Sequence, residues 1–299
     1  MANAPLHRFA LLLVACTLFL VVAGASVTSN EAGLSVPDWP LSYGQVMPEM
    51  TGGVFYEHGH RMVATTVGFL TIILAVWLWK ADGRAWMRKL GWIALAGVIL
   101  QGVFGGLTVL LKLPAQISIV HACLAQLFFS TTAAIALFTS PGWRKDPEIV
   151  VDEHSPSLRT LAVLGAVVLF AQTALGASYR HKVLGLVPHI AGALVAAGVV
   201  LAVAMFALQQ FPKHETLRRW SVLLVTVTMV QVFLGIAAYM SRIYTSESAQ
   251  PMPVMVLFTV LHVAFGALTL ATGVAFAIQV LRNVRRPQES LAGGVSVPS

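Results

Sequence analysis

Eight apolar runs dominate this chain, at roughly 9–27, 62–79, 91–111, 117–139, 159–178, 187–208, 219–240 and 254–281. A helix needs ~20 apolar residues to cross a bilayer, and each run is about that long. Apart from closed barrels, only helices satisfy their own backbone groups in lipid. The runs therefore predict an all-α, polytopic membrane protein with eight transmembrane helices. Composition agrees, with 57% of residues hydrophobic and 10% charged, against about 25% charged in an ordinary soluble domain. The first run also admits a signal-peptide reading, because His7 and Arg8 precede it and Ala23-Gly24-Ala25 would suit a signal peptidase. The repeat described below favours a retained helix.

A net charge of +7 would suit a nucleic-acid partner in a soluble protein. Here the cations lie in short loops between apolar runs, so membrane lipid is the expected surroundings and no nucleic acid is expected. Fourteen of the 19 Lys and Arg residues fall in one alternating set of loops and five in the other. By the positive-inside rule both termini are expected in the cytoplasm of a bacterial inner membrane. The segments 28–59, 112–117, 179–187 and 241–253 then face outward. Residues 282–299 read as a disordered cytoplasmic tail, rich in Gly, Ser and Pro beyond Arg286. Cys16 and Cys123 sit in different apolar runs and predict no disulfide.

The chain repeats itself. Gln101-Gly-Val-Phe-Gly-Gly, Gln172-Thr-Ala-Leu-Gly-Ala and Gln231-Val-Phe-Leu-Gly-Ile end the third, fifth and seventh runs, and Gly24-Ala25-Ser26 ends the first in the same style. Small residues let helices approach closely and leave room for a flat ligand. The simplest architecture is two pseudo-repeated four-helix bundles, residues 1–139 and 159–281, joined by a cytoplasmic linker at 140–158.

Nine histidines occur. His7, His154 and His214 are expected in solvated cytoplasmic segments, and His58 and His181 in solvated outer ones. The remaining four, His60, His121, His189 and His262, each lie near the outer beginning of an even-numbered run, one pair per repeat. An ionisable side chain inside a span is costly and points to function. Zinc normally takes three or four His, Cys or carboxylate ligands, and each bundle offers only two. A haem needs one or two axial ligands and an apolar slot. The small, apolar flanks Val120-His121-Ala122 and Pro188-His189-Ile190-Ala191-Gly192 fit one haem site per bundle.

One carboxylate breaks this symmetry. Glu57 precedes His60 by three residues, a spacing that shares a helix face. Leu186, Ser118 and Thr259 hold that place before His189, His121 and His262. Glu-x-x-His also occurs in di-iron bundles, but those need a second copy and two further Glu, which the other runs lack. The asymmetry suggests a division of labour, with a permanent haem in the carboxy-terminal bundle and a reacting tetrapyrrole in the amino-terminal one. Glu57 would there act as acid/base or stabilise developing positive charge.

Gly33-Leu34-Ser35, Asp38-Trp39-Pro40-Leu41 and Glu57-His58-Gly59-His60-Arg61 resemble the first outer loop and second span of the haem A synthase family. Gly106-Leu107-Thr108-Val109, Leu113-Pro114, His121, Gln172 to Ala177, Arg180-His181, His189 and His262 extend the resemblance over about residues 9–280. The resemblance implies oxidation of the C8 methyl group of haem O to a formyl group, by successive hydroxylations with water as oxygen source. It implies haem b held by His189 and His262, a substrate haem flanked by His60 and His121, and catalysis involving Glu57. It also implies haem O synthase upstream, terminal-oxidase assembly downstream and an electron acceptor still to be identified. Some members carry paired loop cysteines, and this chain has none there. The sequence leaves a homo-oligomer open. Arg61, Arg180, Lys182 and Arg242 are candidate contacts for haem propionates, which Arg recognises well, or alternatively for lipid headgroups. Trp39 and Pro40 are candidates for a cap over the substrate pocket.

Two other functions compete at this level. A di-haem, b-type electron carrier oxidising quinol explains the histidines and the repeat but gives Glu57 no task. A haem transporter or chaperone explains the repeat, yet its site would be expected at mid-membrane rather than near one surface.

Overall fold

The computed structural model describes residues 4–287. Its helices are α1 (Ala4–Ser29), α2 (Gly52–Ala81), α3 (Ala85–Leu110), α4 (Ala115–Thr139), α5 (Leu158–Arg180), α6 (Leu186–Gln210), α7 (Glu215–Tyr244) and α8 (Pro253–Asn283). All eight are long and apolar enough to cross a membrane.

The largest departure from the apolar runs is at α2, which begins at Gly52 rather than near 62. Its first turns carry Glu57, His58, His60 and Arg61, and these polar residues end a hydropathy signal without ending a helix. The loop 30–51 folds over them and pairs with Glu57, His58 and Arg61. Gly53 permits this close approach, because a Cβ there would stand 2.0 Å from Ser35 Oγ.

Helices α1 to α4 pack as a closed ring of neighbours, and α5 to α8 form a second ring. Each ring has its own core. Leu6, Leu13, Leu74, Leu78, Met87 and Ile135 fill the first, and Leu158, Leu217, Leu224, Leu270 and Phe276 the second. The rings meet along α1, α4, α5 and α8. There Phe129 of α4, 1% exposed, lies against Ala267 and Ala271 of α8. Small residues opposite a large one let these helices pack closely where lipid offers no hydrophobic driving force.

At the end of the molecule away from the four histidines, the linker is folded onto the bundles. Pro141–Arg144 forms a 3-10 turn. β1 (Val150–Val151) pairs in parallel with β2 (Val284–Arg285). Arg282 stacks over Trp143 at 4.2 Å and donates to its carbonyl at 2.7 Å. Residues 282–285, assigned to a disordered tail from the sequence, are thus structured: the helix continues to Asn283 and the strand follows. The rest of that expectation falls mostly on residues 288–299, which lie outside the described ones.

Candidate functional site

The four span histidines occupy equivalent seats. Each ring from an even helix rests on a glycine of the preceding odd helix. A Cβ added to Gly24 would meet His60 Cε1 at 3.0 Å, and one on Gly105 would meet His121 Cε1 at 3.4 Å. One on Gly176 would meet His189 Cε1 at 3.1 Å, and one on Gly235 would meet His262 Cε1 at 2.9 Å. The small residues noted in the repeat are therefore the floor beneath each imidazole.

Glutamines brace three of these seats. Gln101 Nε2 donates to the His121 carbonyl at 3.1 Å. Gln172 Nε2 donates to the His189 carbonyl at 2.9 Å and lies 3.0 Å from His189 Nδ1. Gln231 Nε2 lies 3.4 Å from His262 Nε2.

His189 and His262 face each other across the second bundle with ring centroids 6.2 Å apart and planes at 83°. Tyr179 stacks on His189 at 5.9 Å, nearly parallel at 4°. His60 and His121, on their own glycine seats, are the corresponding pair of the first bundle. The Nδ1 atoms of His60, His121 and His262 are buried without a hydrogen-bond partner. Among the described residues, no three of His, Cys, Asp and Glu converge as they would on a multi-ligand metal centre.

Over the first pair lies a loop anchored by a buried carboxylate. Glu57, 4% exposed, accepts from Arg61 Nη2 at 2.7 Å through Oε1 and from the Val36 amide at 2.9 Å through Oε2. Arg61 Nη1 donates to the carbonyls of Asp38 and Leu41, each at 2.7 Å. His58 Nδ1 lies 2.8 Å from the buried Ser42 hydroxyl. Asp38 caps the turn by accepting from the amides of Tyr43 and Gly44 at 2.7 and 2.8 Å. Those two amides hold its carboxyl below the usual range. Between these anchors Trp39 lies on Gly106, where a Cβ would stand 2.8 Å from the indole. Gly106 follows the glycine that seats His121.

A family model described as COX15-CtaA, cytochrome oxidase assembly protein, matches residues 7–53 and 49–285. The chain belongs to that family. Similar proteins include a "Heme A synthase" of Symbiobacterium thermophilum, 29% identical over 172 residues, 56% of each chain. One of Bacillus licheniformis is 30% identical over 139 residues, 45% of each chain. One of Brucella anthropi is 29% identical over 147 residues, 44% of this chain and 41% of that one. The matches span about half the length of these relatives.

In this COX15-CtaA chain the four outer cations differ in what they touch. Arg61 donates to the loop carbonyls and to Glu57 and so clamps the loop onto α2. Arg180 Nη2 crosses between the bundles to the Ala25 carbonyl at 2.9 Å and Ser29 Oγ at 2.7 Å. Arg242 donates to the Tyr179 hydroxyl at 3.0 Å, and Lys182 is exposed. Two histidines expected in solvent are buried. His58 is 6% exposed beneath the loop, and His214 is 3% exposed. His214 Nδ1 caps α7 by accepting from the Leu217 amide at 3.3 Å, while its Nε2 lies 2.9 Å from the Glu148 carbonyl. The sequence reading passed over Val36 and Ser42. Its one available signal was the Gly33-Leu34-Ser35 and Asp38-Trp39-Pro40 motif, which marks a shaped loop without saying what it binds.

Proposed function

We propose that this chain is a haem A synthase, with a haem b cofactor in the second bundle and haem O as the substrate in the first. The single observation that carries the reading is the asymmetry of two otherwise equivalent histidine pairs. Both have the same glycine floor, and only the His60–His121 pair stands under a loop anchored by a buried carboxylate.

The second pair fits a haem iron. A metal-bound imidazole nitrogen stands ~2 Å from its metal, which places two ring centres on opposite sides of one ion roughly 6 Å apart. The His189–His262 separation of 6.2 Å meets that requirement. Gly176 and Gly235 lie beneath the two rings, in keeping with the apolar surroundings a porphyrin edge needs. When bound, haem b supplies a reversible store for electrons leaving the substrate. Gln172 donates to the His189 carbonyl at 2.9 Å and so holds the helix end that carries this ring. Arg180, Lys182 and Arg242 are proposed at the propionate end, and Tyr179 backs His189.

In the first bundle His60 and His121 position the haem O ring. Converting its C8 methyl to a formyl group takes two hydroxylations, each adding oxygen from water and removing an electron pair and two protons, after which the geminal diol loses one water to give the aldehyde. His189 and His262 would hold the haem b that relays these electrons, and an acceptor outside the chain would take them up. Glu57 has both oxygens engaged, which suits it to stabilise positive charge developing on the ring edge better than to take up a proton. Arg61 and the Val36 amide hold it in place. The loop 30–51, with Trp39 on Gly106, closes the site from the aqueous side, so haem O is proposed to enter from lipid. Haem O synthase then stands upstream and terminal-oxidase assembly downstream. The histidine end is proposed to face outward and both termini the cytoplasm of the bacterial inner membrane.

Co-expression with haem O synthase, followed by extraction and mass-resolved chromatography of the bound haems, tests this function. Haem b with haem A is expected in the wild type, and haem b with haem O or a hydroxylated intermediate in Glu57→Ala. Haem b alone in both, with haem O present in the cells, would favour the di-haem electron carrier.

A further inference from the structure

The two bundles differ at a second position besides Glu57. Gln101, Gln172 and Gln231 stand four residues before the seat glycines Gly105, Gly176 and Gly235. The corresponding residue before Gly24 is Leu20. We infer that Leu20 makes His60 the ligand that lets go during substrate exchange, while the three glutamines hold the other histidines in place. The inference rests on the haem A synthase reading.

Each glutamine reaches its histidine at the backbone or the ring. These amides are placed at a cost. The Oε1 atoms of Gln172 and Gln231 are buried without a partner, and an unpaired polar atom in apolar surroundings is unfavourable. What the placement secures is the histidine end of α4, α6 and α8 against its neighbour. An aliphatic side chain at Leu20 offers α2 no such tie. His121, braced through its own carbonyl by Gln101, stays. A bundle that takes in one haem and gives up another needs one yielding ligand and one fixed one. A bundle that keeps its haem needs two fixed ones, and in the second bundle Gln172 ties the His189 carbonyl while Gln231 lies against Gly266 on the helix of His262.

Carbon monoxide reads this directly, because it binds a reduced six-coordinate haem only where a ligand departs. The purified full-length protein, carrying its haems and reduced, is mixed with carbon monoxide and followed spectrally. One of the two haems is expected to react in the wild type. Leu20→Gln is expected to slow that reaction by about three- to tenfold, the span of one buried hydrogen bond. Leu20→Met, which adds no donor, is expected to track the wild type and guards against a misfolding artefact. Gln172→Leu is expected to make the second haem reactive. Equal reactivity of both haems in the wild type, or Leu20→Gln reacting as fast as the wild type, overturns the inference alone. One haem per chain despite supplied haem O, unmoved by His60→Ala, overturns the two-site reading and the inference with it.

Discussion

In the second bundle His189 and His262 stand edge to face, braced by Gln172 and Gln231, with Leu186 in the place that Glu57 holds in the first. In the first bundle the same glycine floor carries His60 and His121. There a loop is drawn down by Glu57, His58 and Arg61, and the glutamine on α1 is missing. The two bundles thus share a glycine floor beneath each histidine and differ in what surrounds it. Holding a haem needs the seat alone. Changing a haem needs, in addition, a charge at the reacting edge, a cover against water and a route out.

The largest effect is expected from removing that charge. Glu57→Gln keeps the size of the side chain and loses the ion pair with Arg61 and the negative charge. Conversion of haem O should fall by about a hundredfold or more, the scale of one preorganised electrostatic contact, while haem b content stays at the wild-type level. Timed extraction of haems after a haem O pulse checks this. Loss of haem b in the same variant would mean that the bundles are not independent.

The glycine floor gives a graded series. Alanine at Gly235 puts a Cβ 2.9 Å from His262, and alanine at Gly105 puts one 3.4 Å from His121. Gly235→Ala should lower haem b occupancy severalfold, Gly176→Ala less so. Gly24→Ala should reduce haem O binding and leave haem b alone, and Gly105→Ala should have the mildest effect. Haem-to-protein ratios after purification measure the order. Overpacking of this kind costs roughly 1–3 kcal/mol.

A smaller effect is expected at the cover. Trp39→Ala empties the space above Gly106 without touching Glu57 or Arg61. It should raise the haem O concentration needed for half-maximal conversion by a few-fold and change the maximal rate less. The smallest effect on either site, though not on stability, belongs to Phe129→Ala. It removes the large side chain from the α4–α8 contact, should cost about 3–5 kcal/mol of stability, and should lower the unfolding temperature while both haems remain bound at low temperature.

Much of this comparison was legible in the sequence. Helix number, helix spacing and the four seats followed from apolar length and repeat alone, because lipid leaves the backbone few alternatives. Glu57 stood out because its three counterparts are not acidic. The start of α2 and the burial of His58 were not legible. Both depend on the loop 30–51 folding back, and the contacts of Val36 and Ser42 across some twenty residues leave no local periodicity. His214 and the strand at Val284–Arg285 were missed for the same reason, since each is fixed by a distant backbone partner. The glutamines were visible as a repeat, but their targets were not, because a sequence shows which residues recur and not which helix they face.

The division of labour itself is tested most directly by His121→Ala and His189→Ala, each co-expressed with haem O synthase and analysed for extracted haems. The account predicts that His121→Ala keeps haem b and loses haem O and haem A, and that His189→Ala loses haem b and retains haem O unconverted. The same haems lost in both variants, or haem A still formed without haem b, would contradict it.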